Sequence, residues 1–484
     1  MNQTLKQKYE TVIGLEVHLQ LATKTKMFCG CNNTFGGEPN ARTCPVCLGL
    51  PGSLPVINKE ALAFAIKIGL ALNCEINPFV KFDRKNYFYP DCPKNYQISQ
   101  FDFPITKSGY LDIPTEDGTT KRIRINRGHL EEDAGKLIHD NAGNCSLVDY
   151  NRTGTPLIEI VTEADLRSPQ EAYDYLHTLK LVLQYLNVSD CDMEKGSLRC
   201  DANVSIREVG APKFGTKTEL KNMNSFKAVK TAIEYEVERQ TQLVENGDRV
   251  LQETRLWDET KSVTVTMRSK EEAHDYRYFP EPDLVPFTLE EKVIEQIRQA
   301  LPELPHQKLE RFKQQYALSD YDARILIQDQ DFANFFEACA KLYEQNKKIA
   351  NWMNSVLLQE IKERRMDVNN LSISAQEFTK LISKVEDGTI SNLVGKEVLK
   401  FILDSGKDVD TIINEKGLAQ VSDESELTSM VEGVIVANPD VVNQIREGKE
   451  SAVGFLVGQV MRQSQGKANP KKIGEIIKRR LLNG

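Results

Sequence analysis

Four cysteines are the most compact chemical signal in the chain. Cys29-Gly-Cys31 and Cys44-Pro-Val-Cys47 form two tight pairs across one loop. A tetrahedral Zn²⁺ site needs thiolates at such spacing, and four of them fill the coordination sphere, so a site here is structural. Four unrelated thiols are the alternative, and the single residue inside the first pair departs from the commoner two. Cys74 and Cys339 stand in apolar helical patterns and are expected in the core.

A second set of candidates lies on segments that alternate with period two. In Ile13-Gly-Leu-Glu-Val-His-Leu-Gln-Leu21 one face carries Leu15, Val17, Leu19 and Leu21, and the other carries Glu16, His18 and Gln20. Arg127-Gly-His-Leu-Glu-Glu-Asp133, if extended, sets His129, Glu131 and Asp133 on one side. Leu157-Ile-Glu-Ile-Val161 embeds Glu159 in an apolar strand, where an unpaired carboxylate is costly. Leu198 to Ile206 alternates again, with Arg199, Asp201, Asn203 and Ser205 together. Hard oxygen ligands with one imidazole suit Mg²⁺, which keeps waters or substrate phosphates in its shell. Such stripes also serve as solvated strand faces balanced by local ion pairs, and sequence does not show that they converge.

Two further segments could meet a nucleic acid or a nucleotide. Lys81 to Ile98 interleaves Arg84, Lys85 and Lys94 with Tyr87, Phe88, Tyr89 and Tyr96, so that aromatic faces could stack and cations could meet phosphate; packing under a Pro-rich loop is the ordinary role of such residues. From Arg462 to Gly484 the chain carries Arg462, Lys467, Lys471, Lys472, Lys478, Arg479 and Arg480 against one acid, Glu475. Asn469-Pro470 can open a helix whose Ile473, Ile476, Ile477 and Leu481 turn inward and leave the cations for an anionic partner such as RNA, or for solvent.

The elements that must position these residues change character along the chain. Up to about residue 290 short alternating segments dominate, punctuated by Gly36-Gly37, Asp117-Gly118 and Asn246-Gly247, with a helix expected after Asn224-Ser225 and a buried one over Ala61 to Leu72. Helix then follows helix, for example Glu290 to Leu301 and Asp331 to Leu358, and Ser374-Ala-Gln-Glu377 reads as a capping box. The expected fold class is α+β: a sheet-rich catalytic domain over residues 1–290, an all-helical domain over 291–405 and a small helical tail domain over 406–484. A chain of 484 residues is long enough for two or three such cores.

Composition narrows the function classes. A net charge of −8 is against a uniformly basic nucleic-acid binder, so an RNA surface must be a local patch. The first ten residues lack the apolar core of a signal peptide, no apolar run reaches the length of a membrane span, and ten cysteines without an export signal read as thiols or metal ligands; a cytoplasmic location is expected. Neither a Walker A loop nor a Rossmann fingerprint is present, so any ATP site is built differently.

These residues resemble the B subunit of the tRNA-dependent amidotransferase family that makes Gln-tRNA or Asn-tRNA from misacylated precursors. The resemblance is carried by Ile13 to His18, the cysteine cluster, Phe82-Asp-Arg-Lys-Asn-Tyr-Phe-Tyr-Pro-Asp91, Asp149-Tyr-Asn-Arg-Thr-Gly-Thr-Pro-Leu-Ile-Glu159, Leu198 to Ser205 and Asp275-Tyr-Arg-Tyr-Phe-Pro-Glu-Pro-Asp283. It implies a cradle-like catalytic domain using ATP and Mg²⁺, with His18, Glu131 and Glu159 at the metal positions and Glu16 beside them. Arg199, Asp201, Asn203 and Lys85 are then candidates for the nucleotide. It further implies transfer of phosphate to the carboxylate of Glu or Asp on tRNA(Gln) or tRNA(Asn), ammonia from a partner amidase subunit, and a small third subunit completing a heterotrimer. A non-catalytic RNA-binding scaffold is the runner-up, for which the carboxylate of Glu159 inside an apolar strand is awkward. An ATP-dependent ligase or kinase acting on a free metabolite is a third reading, and it leaves the basic tail without a role.

Overall fold

The computed structural model describes residues 8–140, 145–269, 276–419, 424–446, 450–464 and 468–482. Asp275 and Lys467, both singled out in the sequence, lie outside these. The chain is α+β and divides into two compact units, residues 1–305 and 306–484.

The first unit is organised by a nine-stranded sheet. In chain order its strands are β1 (Tyr9–Gln20), β2 (Glu75–Ile76), β3 (Thr106–Pro114), β4 (Thr120–Glu132), β5 (Pro156–Thr162), β6 (Leu198–Glu208), β7 (Thr218–Lys221), β8 (Glu253–Asp258) and β9 (Val263–Ser269). Their spatial order is β9-β8-β7-β6-β1-β5-β4-β3-β2, antiparallel except for the β7–β8 pair. β1 is therefore central, flanked by β5 and β6.

The alternation read from the sequence sorts the two faces of this sheet. Leu15, Val17 and Leu19 of β1, Ile158 and Ile160 of β5, and Ala202 and Val204 of β6 are fully or almost fully buried in one core. Three helices contribute to it: α1 (Lys59–Ala71), α2 (Pro169–Tyr185) and α3 (Phe226–Glu245). Each starts at a side-chain cap, from Asn58, Ser168 and Ser225 respectively, which satisfies amide donors that a helix start leaves orphaned. Each large aliphatic side chain buried here contributes about 1.5–3 kcal/mol. The opposite face is left to polar side chains.

The second unit is helical. Helices from Pro305–Gln315 to Val409–Lys416 share one core around Phe312, Phe336 and Phe378, and a further core around Leu427, Val431, Leu456 and Ile477 gathers the helices from Glu424–Ala437 to Pro470–Leu482. Ile412 and Ile413, beyond Gly406, belong to the first of these cores, while Ile294 and Leu304, beyond residue 290, belong to that of the sheet. The single long helix expected over Asp331 to Leu358 is interrupted: Gln330–Ala340 ends before Asn346–Trp352, whose continuation Met353–Leu357 is π-helical. At Ser374 the side chain caps Glu377 N, but the Glu377 carboxylate accepts from Val409 N instead of closing the capping box. No helix among the described residues is long and apolar enough to cross a membrane.

Candidate active site and cysteine cluster

Strand register assembles the polar face. Residues directly opposite in antiparallel strands share a face, and His18 stands opposite Glu159 on one side and Arg199 on the other. Glu16 is opposite Asp201, and Glu159 is in turn opposite His129, two residues before Glu131. The stripes of β4, β5, β1 and β6 thus form one polar surface.

At its centre a ligand atom from each of His18, Glu131 and Glu159 lies within 4.8 Å of the others. The Nε2 atoms of His18 and His129 both lie 3.3 Å from Glu159 Oε2, and His129 Nε2 is 3.8 Å from Glu131 Oε2. Ser99 Oγ donates to Glu131 Oε2 at 3.3 Å. Burial opposes ionisation of Glu159, but His129 and His18 more than offset it and hold the carboxyl well below its ordinary value. Burial likewise opposes charge on Glu131, yet Lys85 and His129 bring it down to about 2. The reciprocal effect raises His129 to about 9 against its own burial, through Glu159 and Glu131. Glu16 moves the other way: burial, then the neighbouring Glu159 charge, raise its pKa.

The nucleotide candidates surround this centre. Lys85, on the short strand Asp83–Asn86, has its Nζ 5.1 Å from the Tyr276 ring centroid; burial disfavours its charge, while Glu131 and Glu159 raise its pKa above the usual lysine value. Arg199 Nη2 donates to both oxygens of buried Asp133 at 3.1 Å, leaving its Nε without a protein partner. Asn203 Nδ2 donates to Glu16 Oε1 at 2.8 Å, and Asp201 pairs with Lys221. Opposed charges from several strands therefore line one surface, with two carboxylates and an imidazole as hard ligands for a divalent cation.

The sequence reading gives no role to His129, Asp133 or Lys221. His129 shares the parity of Glu131, which is signal enough to include it. Asp133 lies just past β4 and gathers Gln20, Arg152 and Arg199, a convergence that only the fold creates. Lys221 ends a four-residue strand too short to carry a pattern. In the aromatic loop, packing and charge coincide: the Arg84 guanidinium lies 4.2 Å from the Tyr96 ring centroid and is bidentate to buried Glu281, while Phe88 and Tyr89 are exposed.

The cysteine cluster sits apart from the strand stripes. Cys29, Cys31, Cys44 and Cys47 bring their sulfurs within 4.8 Å of one another. Cys44 precedes a single helical turn, Pro45–Leu48, whose end is closed by Gly49 in the left-handed region, φ 69°. Packing splits the thiols: the hydrogen bond to Cys47 and burial push Cys29 up, whereas Cys47, holding that bond and facing Lys26, is pulled down to about 5. A thiol so lowered is already disposed to bind a cation.

Comparison with known proteins gives the family of the chain. Residues 11–295 match the GatB/GatE catalytic domain family, and residues 334–481 match the GatB domain family. The chain is 53% identical over 479 residues, 98% of its length and 99% of the relative's, to the B subunit of the aspartyl/glutamyl-tRNA(Asn/Gln) amidotransferase of Carboxydothermus hydrogenoformans. The corresponding subunits of a Thermoanaerobacter species and of Thermodesulfovibrio yellowstonii are each 52% identical, across 98% and 97% of this chain and 99% and 98% of the relatives. The chain belongs to the GatB family. The match to the GatB catalytic domain spans both clusters, and the GatB domain match includes the helix Pro470–Leu482, where Ile473, Ile476, Ile477 and Leu481 are buried and Lys471, Lys472, Lys478 and Arg479 are exposed.

Proposed function

We propose that this chain activates the side-chain carboxylate of Glu or Asp carried on tRNA(Gln) or tRNA(Asn), using ATP and Mg²⁺, so that ammonia released by a partner glutaminase can form the amide. As a GatB-family member it is a component of a carbon–nitrogen ligase, an amidotransferase acting in translation. The observation that carries the proposal is the convergence of His18, Glu131 and Glu159 within 4.8 Å on a polar sheet face.

A carboxylate is a poor acyl donor because its leaving group would be an oxide. Transfer of a phosphoryl group to one of its oxygens, with ADP departing, creates a mixed anhydride from which phosphate leaves when ammonia attacks the acyl carbon. His18, Glu131 and Glu159 would hold Mg²⁺, which would supply charge stabilisation to the transferring phosphoryl group. Glu16 is held in place by Asn203, and Lys85 and Arg199 supply positive charge toward the phosphates and the reacting carboxylate, while Asp201 and Asn203 border the nucleotide. Ser99 donates to Glu131 Oε2 and so orients the carboxylate that would hold the cation.

The remaining parts follow a division of labour. Residues 1–290 perform the chemistry, stiffened by structural Zn²⁺ on the four cysteines, 291–405 form a helical domain, and the tail domain 406–484 holds tRNA through the exposed cations of Pro470–Leu482. The chain works in the cytoplasm as one member of a heterotrimer, with a partner amidase and a small third subunit. The test is to purify that complex and measure ATP hydrolysis with aminoacylated tRNAs. Hydrolysis stimulated by Glu-tRNA(Gln) or Asp-tRNA(Asn), but not by uncharged tRNA, is expected; equal rates with every tRNA would refute the assignment.

A further inference from the structure

Lys26 is among the largest fully buried side chains in the protein, at 0% exposure. A buried ammonium is costly unless its charge is met and its three donors are satisfied. Among the described residues no carboxylate pairs with it. Its Nζ instead donates to Arg42 O at 2.7 Å, to Tyr150 O at 3.4 Å and to Cys47 Sγ at 3.8 Å. Three donors thus meet three acceptors, and the one acceptor able to carry full negative charge is a sulfur of the cysteine cluster.

The backbone is shaped around this contact. Lys26 N donates to Cys31 O at 3.0 Å, and Met27 N donates to Gly154 O at 2.7 Å. Gly154 has φ 83°, a left-handed turn that only glycine adopts freely, and a Cβ there would meet the Lys26 stem and Cys47 Cβ in ordinary van der Waals contact. Four thiolates around Zn²⁺ would carry a net double negative charge, and Cys47, the one buried sulfur of the four, is the one that meets Lys26.

We propose that Lys26 is the built-in counter-cation of a zinc centre formed by Cys29, Cys31, Cys44 and Cys47, donating to Cys47 and tying the cysteine loop to the Tyr150–Gly154 turn. The inference rests on the reading of the four cysteines as a zinc site. Lys26 is a positioning residue: it touches a ligand and not the metal. The turn it anchors leads directly into β5, which carries Glu159, and Gly154 N donates to Asp133 O at 2.9 Å. Lys26 thus adds a charged side-chain link between the cysteine loop and the turn below the polar sheet face, beside the neutral ones from Arg42 N to Asn151 and from Asn151 to Glu38 O.

The test compares wild type, Lys26→Gln and Lys26→Arg in the full chain purified within its heterotrimer, measuring zinc affinity by competition with a chromogenic chelator. Loss of such a partner to a metal ligand costs about 10–100-fold in affinity, so Lys26→Gln is expected to release zinc that much more readily and Lys26→Arg to recover most of the loss. A Lys26→Gln protein that holds zinc within about twofold of wild type overturns the inference, being well short of that range, whereas wild type without zinc overturns the underlying zinc reading instead. Should Lys26→Gln fail to fold, wild type decides by acylation footprinting. Lys26 labelled only after zinc is withdrawn supports the role; Lys26 equally protected with and without zinc, while the cysteines become alkylated, contradicts it.

Discussion

The two clusters of the sheet unit are built by opposite routes. The four cysteines come from one short stretch, offer soft ligands of a single kind and bring their sulfurs within 4.8 Å of one another, with Lys26 against Cys47. His18, Glu131 and Glu159 come from three strands far apart in sequence, are hard and mixed in type, and are brought together only by the order β4-β5-β1. Closure suits a site that holds a loop. Three protein ligands, two of them buried, would leave coordination positions for phosphate and a substrate carboxylate. The cysteine cluster can thus be read along the chain, whereas the His18–Glu131–Glu159 cluster exists only across it.

Substitutions can break that contrast, beginning with the largest effect. Glu131→Ala is expected to lower tRNA amidation by roughly 10³-fold, the worth of several kcal/mol of charge stabilisation, while glutamine hydrolysis by the partner persists and zinc content is unchanged. Amidation near wild-type rate would remove Glu131 from the centre, and loss of zinc would show that the clusters are not independent. Asp133→Asn removes the charge of a buried carboxylate that pairs with the partly exposed Arg199 and Arg152 and should cost about 1–3 kcal/mol of stability at neutral pH, measured by denaturant unfolding. Burial pushes the Asp133 carboxyl up, but Arg199 and Arg152 outweigh it and hold the pKa below the ordinary value. A carboxylate so depressed stabilises the fold above its unfolded value of about 4 and loses that contribution as the pH falls through the folded value. The Asn variant should accordingly lose less stability than wild type on acidification below about pH 4, and identical acid limbs would count against the assignment.

Cys44→Ser with Cys47→Ser is expected to abolish about one zinc per chain by metal analysis and to lower the thermal midpoint, with Mg²⁺ dependence of the remaining activity unaltered. Zinc surviving the double change would sink the structural site. The smallest effect lies outside both clusters: reversing charge at Lys471, Lys472 and Lys478 should weaken tRNA binding roughly tenfold and flatten its salt dependence by up to about 0.9 for each phosphate interaction removed, with glutamine hydrolysis unaffected. Wild-type affinity and slope together would make these lysines solvated surface.

What is legible in the sequence follows from the same contrast. The cysteine loop, the helix opening at Ser225 and the inward face of Pro470–Leu482 depend on residues near one another, and sequence spacing places them. The alternation of β1 tells which side chains share a face, but not that β5 and β6 are its neighbours, since register is a property of pairs of strands. Glu159 shows the gap well. An apolar strand suggests a carboxylate among hydrophobic neighbours, yet Ile158 and Ile160 enter the core while Glu159 turns to the polar face between two imidazoles. Asp133 and Lys221 acquire partners only through the fold. The break after Ala340 is invisible to spacing because apolar positions continue through Lys341 to Gln345 without a helix breaker.

The central claim is that a carboxylate oxygen of the aminoacyl group receives phosphate before ammonia arrives. It is tested most directly by charging tRNA(Gln) with glutamate, or tRNA(Asn) with aspartate, labelled with ¹⁸O in the side-chain carboxylate, and analysing the inorganic phosphate formed during amidation by the purified complex. Attack of ammonia on the acyl-phosphate expels phosphate with one former carboxylate oxygen, so the account predicts one ¹⁸O per phosphate for each amide made. Amide formation with unlabelled phosphate would contradict it.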